Sequence, residues 1–286
     1  ISTPGDVSVV ARTIDRAIRS NADAGTTSNA NSGVTQVNVN AGVAYGAYTH
    51  TASATVGHHV RITARDIGVS ANTDLPNEND WVRTWEDIRD PAGIFSHLNG
   101  NFGTVNNIIT SYANASGGDS RQLSAAGSVN YFAATNEATA WVAKDAELTT
   151  TGGVAWATTL ANSDVINWDR GITVSAATDI ETINVAGSFS ALLTGTATSG
   201  SSVGGSLNLI FHNNTTIAGI AAGAIVTSSD KVDVKAETHD LFFAIAPTSG
   251  VAAGSLALQG IVSYGGINDT THASIHNLAR ISAPIV

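Results

Sequence analysis

Residues 205–220 read Gly-Ser-Leu-Asn-Leu-Ile-Phe-His-Asn-Asn-Thr-Thr-Ile-Ala-Gly-Ile, and residues 232–236 read Val-Asp-Val-Lys-Ala. Apolar residues in these stretches recur at every second position, as they do when alternate side chains of a strand enter a core. Gly, Asn and a Ser-Ser-Asp segment separate the apolar runs, which are too short for helices. The pattern therefore predicts short β-strands joined by turns.

One motif, apolar-x-apolar-x-Ala, recurs along the chain. Its copies begin at Val7, Val60, Ile172, Val232 and Ala279. A threonine stands two positions after the alanine in three copies, at Thr13, Thr178 and Thr238. Three of the four intervals between copies are similar in length, and the interval from Val60 to Ile172 is much longer. The motif thus indicates an internal repeat with one insertion.

A second motif opens with Gly-Ser and an apolar residue and continues to an asparagine. It begins at Gly127, Gly205 and Gly254, and its asparagines are Asn136, Asn214 and Asn268. Repeats of this kind are typical of solenoids, whose stacked coils bury one another's inward faces, here with about 20–25 residues per coil. Asparagine tolerates turn geometry, so we expect these three asparagines at corners between strands.

The sequence therefore predicts an all-β fold, a parallel β-helix. We expect coils over residues 1–71, with a surface loop at 16–32, and again over residues 125–286. Residues 72–124 break the alternation and are predicted to form an insertion that packs on the solenoid or caps it.

Within the insertion, Trp81, Trp85 and Ile88 have the spacing of one helical stripe, and Pro91 follows them. We expect a short helix there. The stretch 102–115 is compatible with either a second short helix or a returning strand.

Composition excludes several classes of partner. The net charge of -10 argues against nucleic acid and anionic membrane surfaces, which both require a basic patch. The chain has no cysteine, so it has neither disulfides nor cysteine-based metal sites. No apolar run reaches the roughly 18–20 residues of a membrane helix, so we expect no membrane insertion. The chain opens Ile-Ser-Thr-Pro-Gly without an initiator, and we expect it to be a piece of a longer protein.

Three phrases resemble a known family. They are Asn-Asn-Thr-Thr-Ile-Ala-Gly-Ile (213–220), Ala-Ile-Ala-Pro-Thr-Ser-Gly (244–250) and Asn-Asp-Thr-Thr-His-Ala-Ser-Ile (268–275). They look like those of large leukotoxin-type filamentous adhesins, bacterial exoproteins similar to filamentous haemagglutinin. The resemblance covers most of residues 33–286 and is clearest over 127–283.

The resemblance implies a right-handed β-helical fibre on the outer surface of a bacterial cell. We therefore expect a structural and adhesive role. Because no active-site motif stands out in the sequence, we expect neither enzymatic activity nor a cofactor. The expected partners are neighbouring repeats of the parent chain or further copies end to end. Host or surface glycans are a second class of expected partner.

A polysaccharide-binding or polysaccharide-cleaving β-helix protein is the alternative, so we considered carboxylates that follow the alanine motif. Asp15, Asp66, Asp179 and Asp240 do so, at differing offsets. Paired-carboxylate hydrolysis needs a fixed separation between two carboxyl groups. The acids therefore need not share a groove, and solvated acids at corners are the favoured interpretation. The pair Asp179 and Asp240 is the specific catalytic hypothesis.

Histidines and tryptophans supply the remaining candidates. His58 and His59 are adjacent and point to opposite sides of a strand, whereas His272 and His276 have the spacing to share a ligand. We expect all four to be surface residues and predict no metal site. The acidic run 77–80 has calcium-type ligands without a calcium-loop register. For a glycan, the predicted contacts are Trp81, Trp85 and Trp141.

Overall fold

The computed structural model describes residues 1–15, 19–27, 37–75, 108–116, 122–162, 164–187, 200–245 and 257–286. This part of the chain consists of β-strands, turns and bends, and nearly all strand pairs are parallel. The predicted all-β class and parallel pairing are confirmed. The helix expected at Trp81 and Trp85 and the acidic run 77–80 lie outside the described residues. Among those residues, no helix is long and apolar enough to cross a membrane.

Three parallel sheets carry the fold. Sheet 1 contains the long strands β3 (Val37–Val56), β7 (Gln122–Val142), β12 (Gly200–Ile220) and β15 (Ala257–Ile275). Sheet 2 contains the short strands β4 (Arg61–Ala64), β8 (Glu147–Thr150), β13 (Ile225–Thr227) and β16 (Arg280–Ser282). Sheet 3 contains β1 (Val7–Ile14), β2 (Arg19–Thr27), β5 (Ile67–Leu75), β6 (Ile108–Ser116), β11 (Ile172–Gly187) and β14 (Val232–Ile245).

The chain visits these sheets in a constant order. Each pass runs through sheet 1, then sheet 2, then sheet 3, and it places its strand beside the equivalent strand of the previous pass. The row Ile62, Leu148, Val226 and Ile281 shows that one pass takes about 55–86 residues. The predicted coil of about 20–25 residues is therefore too short, because the strands of sheet 1 are themselves about 20 residues long.

Parallel register explains the alanine motif and corrects its assignment. Val7, Ile67, Ile172 and Val232 form one row of sheet 3, and the alanines four positions later also align. The copies beginning at Val60 and Ala279 belong to sheet 2 instead. The missing sheet 3 copy is Ile-Gly-Val-Ser-Ala at residues 67–71. The threonine that follows three of the copies marks the members of sheet 3.

Two stretches placed outside the predicted coils contain strands, and the second agrees with the returning strand that was one of the two alternatives for residues 102–115. Residues 19–27, inside the expected surface loop, form β2, and residues 108–116, inside the expected insertion, form β6. These two strands pair with each other in sheet 3, and β6 also pairs with the second half of β11. The second half of β11 therefore continues sheet 3 where the sequence alternation is weak. The division of the chain at residues 71 and 125 remains a prediction.

Inward side chains of the three sheets form two apolar clusters. The larger contains the aligned Val, Ile, Leu and Ala rows, among them Val69, Val174 and Ile220, all essentially inaccessible to solvent. The smaller is built around Phe132, Ile180 and Ile210. Burying a side chain of this size stabilises the fold by about 1.5–3 kcal/mol.

Two of the asparagines predicted at corners are instead buried in sheet 1. Asn136 and Asn214 lie inside long strands, point inward and are at most 1% exposed. They stand in one row with His50 and Asp269. The His50 Nδ1 atom is 3.0 Å from Asn136 Oδ1, and Asn136 Nδ2 donates to Asn214 Oδ1 at 2.7 Å. Stacking in register lets each amide satisfy its neighbour, so no corner is needed. Asn268, the third, is exposed and donates to Asn213.

Two carboxylates lie at the end of this row, next to Asn214. Asn214 Nδ2 donates to Asp240 Oδ2 at 2.6 Å and to Asp269 Oδ1 at 2.7 Å. We call His50, Asn136, Asn214, Asp240 and Asp269 the polar spine. Buried polar groups of this kind stabilise a fold only while every partner is present.

Replacing Asn136 with alanine should lower the free energy of unfolding by about 2–4 kcal/mol, because it leaves His50 and Asn214 without their buried partner. Urea unfolding measures the loss. The matched control is Thr135→Ala, one residue away on the exposed face of the same strand, for which we expect a change within about 0.5 kcal/mol. Equal effects of the two substitutions would contradict a structural role for the spine.

Candidate functional site

The four acids singled out in the sequence occupy four different environments. Asp15 follows β1 and lies 3.4 Å from His50, and Asp66 is fully buried in the turn before β5, where it accepts the Gly171 N–H at 2.7 Å. Asp240 points inward from β14 and Asp179 points outward from β11. Asp179 and Asp240 thus lie on opposite faces of sheet 3 and cannot flank one glycosidic bond. The specific catalytic hypothesis for this pair is wrong.

Three outward side chains of sheet 3 form the described group best placed to share a metal ion. Asp179 and His239 are direct neighbours on β11 and β14, and Glu181 follows Asp179 on the same face. One ligand atom from each residue lies within 4.8 Å of the others. Two carboxylate oxygens and an imidazole nitrogen suit a divalent cation such as Mn²⁺ or Zn²⁺. We call these three residues the outer cluster.

Alternation along the strands positions the outer cluster. Thr178 and Ile180 point into the core and are at most 1% exposed, so Asp179 and Glu181 must point outward. Thr178 aligns with Thr238, so the residues that follow them, Asp179 and His239, lie side by side. The repeated threonine is the sequence signal that could have found this pair.

Crowded negative charge surrounds the outer cluster. Partial desolvation by the neighbouring strands raises the pKa of Asp179, and the charges of Glu181 and Asp74 raise it further, whereas His239 opposes the shift. Arg12 does not relieve this crowding directly, because its guanidinium pairs with Asp74 at 2.6 Å and with Asp164 at 2.8 Å. The fold therefore holds Asp179 in a place that favours its neutral form or a bound cation.

A β-hairpin places Asp164 near the outer face of sheet 3. Its strands, β9 (Trp156–Thr159) and β10 (Val165–Trp168), are antiparallel. Trp168 is 4% exposed, stacks on Trp156 and lies directly over Gly68, where any larger residue would collide with its ring. The hairpin thus docks on the outer face of sheet 3, a feature that the sequence alternation did not predict.

A second constellation lies inside the protein. His212 Nδ1 is 2.7 Å from Asp240 Oδ1, and His212 Nε2 is 3.3 Å from the Thr182 hydroxyl. Hydroxyl, imidazole and carboxylate in this order resemble a nucleophile activated by an oriented base. Thr182 and His212 are only 2% and 1% exposed, so no substrate reaches them in this conformation. The arrangement therefore belongs to the packed core.

The histidines singled out in the sequence are exposed, as predicted. His58 and His59 lie in the turn between β3 and β4, where His59 has a left-handed φ of 56°. His272 lies on β15, and His276 follows that strand. The histidines with buried or clustered roles, His50, His212 and His239, were not predicted.

Of the predicted glycan contacts, only Trp141 lies in the described part of the chain. It is half-buried on the outer face of sheet 1, covers Gly219 and contacts the His276 ring edge-to-face at a centroid distance of 5.4 Å. Part of its ring surface is therefore already occupied.

No family model, curated protein or solved structure matches the chain.

Asp179→Asn should raise the melting temperature at neutral pH. The raised pKa means that the folded protein binds the Asp179 proton more tightly than the unfolded chain does. The ionised group therefore destabilises the fold at neutral pH, and this penalty disappears as the pH falls below the ordinary range for aspartate. Thermal unfolding at neutral pH and at about pH 3, with a chelator present, measures the difference.

The matched control is Asp169→Asn, which should lower the melting temperature at neutral pH. A hydrogen bond from Lys231 lowers the pKa of Asp169, so its charge stabilises the fold above the ordinary aspartate pKa and the effect is lost at low pH. A lower melting temperature for Asp179→Asn at neutral pH would contradict the assignment of Asp179 as a strained carboxylate.

Proposed function

We propose that this chain is a structural and adhesive segment of a large extracellular fibre on a bacterial cell surface, built as a right-handed parallel β-helix. One observation carries the proposal: the described strands follow the same order through the three sheets on each pass, and each pass adds one strand to sheet 1 and one to sheet 2. A fold that grows by adding equivalent layers has no intrinsic limit to its length. Such a fold suits a stiff stalk.

The last layer supports a continuing stack. Ile261, Ile267 and Ile275 point inward from β15, yet they are 48%, 45% and 40% exposed. Their counterparts one strand below are Ser206, His212 and Ile220, at 5%, 1% and 0%. The difference arises because no described strand covers β15. An apolar inward face of this kind is stable when a further layer closes it, as in repeat proteins.

The outer face of sheet 1 supports an adhesive role. Tyr45, Val43, Val262 and Tyr264 point outward and are 58–67% exposed, and Tyr131 and Phe211 lie between the two ends of this surface. Exposed apolar patches that span several strands commonly mark contact surfaces. The rings of Tyr45 and Tyr131 stack on each other at 5.2 Å and 7°, so each ring covers one face of the other. This favours a protein or surface contact over stacking on sugar rings.

The β-helical layer order can be tested with designed cysteines, since the chain has none of its own. Thr135 and Asn213 are exposed neighbours on β7 and β12, within disulfide reach for paired strands. We expect Thr135→Cys with Asn213→Cys to form an intramolecular disulfide under mild oxidation, seen as a faster band on a non-reducing gel. The control pair, Thr49→Cys with Asn213→Cys, is two strands apart and should not close. Equal closure of both pairs would contradict the layer order.

The cellular role can be tested by labelling. We expect an antiserum against the purified chain to label intact, unpermeabilised cells of the source organism in extended structures. Signal that appears only after lysis would overturn the surface assignment. Binding of the labelled chain to an array of glycans would favour the alternative, a polysaccharide-binding protein, and a glycan product would favour a polysaccharide-cleaving one.

A further inference from the structure

Two edge strands of sheet 3, β1 and β14, carry the same inward residues. The inward residues along β1 are Val7, Val9, Ala11 and Thr13, and those along β14 are Val232, Val234, Ala236 and Thr238. These positions are already in register through β5 and β11. We infer that a second copy of this chain stacks head to tail on the first, with its β1 on β14 in that same register. The inference rests on the proposed β-helical function and specifies its partner.

The ends of the stack also match in outline. At one end, sheet 3 begins one layer earlier than sheet 1: among the described strands, β1 lies outside β5, whereas β3 is the first strand of sheet 1. At the other end, sheet 3 stops one layer earlier, at β14, while β15 and β16 complete sheets 1 and 2. In sheets 1 and 3 the step at one end therefore fits the step at the other. In this arrangement β3 of the second copy lies on β15.

Side chains at the junction are complementary. Tyr264 ends the outward row that begins with Tyr45 and Tyr131, so the second copy places its Tyr45 against Tyr264, as Tyr45 already stacks on Tyr131. Asp269 ends the polar spine, and the residue placed above it is the second copy's His50. On the outer face, Glu237 of β14 would lie beside the second copy's Arg12, a residue of opposite charge that also pairs with Asp74 and Asp164 of its own chain.

The same four-residue pattern occupies sheet 2 at both ends. Ile1-Ser-Thr-Pro4 and Ile281-Ser-Ala-Pro284 share the pattern Ile-Ser-x-Pro. Ser2 is bridged to Thr63, and Ser282 pairs with Thr227, which stands in the row of Thr63. In a stack of two separate copies, residues 281–286 of one copy compete with the first residues of the next for one place.

This competition gives a direct test. We expect a chain that ends at Arg280 to associate head to tail, because the first residues of the next copy can then take the vacated place. In sedimentation velocity its sedimentation coefficient should rise with concentration, and the full chain should associate at least about tenfold more weakly. A truncated chain that unfolds cooperatively and stays monomeric at every concentration would overturn the inference. If the truncated chain does not fold, the same sedimentation measurement on the full chain decides, and a full chain that stays monomeric at every concentration overturns the inference.

Ala236→Pro is a substitution designed to block the stacking of a second copy on β14. Val232 N–H donates to Ile285 O, on the side of β14 that faces away from β11. In a parallel ladder, the N–H groups of every second residue point in the same direction. The Ala236 N–H therefore also points away from β11, toward the edge of the sheet. Proline removes that donor while leaving the pairing of β14 with β11 intact. In the truncated chain it should weaken association by roughly tenfold or more. Association unchanged by Ala236→Pro would contradict the proposed edge.

A second block covers the case in which Ala236→Pro fails to fold. Ile267 is inward-facing but 45% exposed in a single copy, so Ile267→Lys should lower the melting temperature of the monomer only modestly and abolish stacking. If the disulfide pair on β7 and β12 closes while the truncated chain stays monomeric, the β-helical proposal stands and the stacking inference alone fails.

Discussion

The structure depends on in-register parallel pairing of equivalent residues. Because each pass places a valine, alanine or threonine beside its equivalent, the same side chain repeats up the stack. Identical neighbours interdigitate without large residues, which is why a chain with only 6% aromatic residues still builds two apolar clusters. A shift of one residue would turn every inward side chain outward, so apolar burial specifies the register strongly.

The same register controls the polar groups. Where the repeated residue is asparagine, as at Asn136 and Asn214, stacking converts a costly buried amide into one that is hydrogen-bonded above and below. The polar spine then separates the apolar cluster of Val69 and Val174 from the cluster of Phe132 and Ile210. On the outer face, register brings Asp179 beside His239 and creates crowded charge without any dedicated loop. The register of the parallel strands therefore determines both the buried hydrogen bonds and the exposed charge cluster.

Sequence alternation predicted strands correctly where one face of the strand is buried and the other is exposed to solvent. It identified the all-β class and the repeated motif at Val7, Ile172 and Val232. It failed at residues 67–71, where the outward residues Gly68 and Ser70 are also buried, so the contrast between faces is weak. The packing of Trp168 over Gly68 explains this burial, and that contact joins residues a hundred positions apart.

The sequence by itself determined the strand class and the repeat, because both follow from a period of two that each strand carries locally. It did not decide the inward face of β12, where Leu207 and Leu209 point outward and Asn208 between them is buried. Only the tertiary structure decided which copies share a sheet and that Asn136 and Asn214 are core residues, not corners. It alone separated Asp179 from Asp240 and brought Asp179, Glu181 and His239 together. These outcomes depend on which strands become neighbours, and hydrogen bonds between residues far apart in the chain fix that choice.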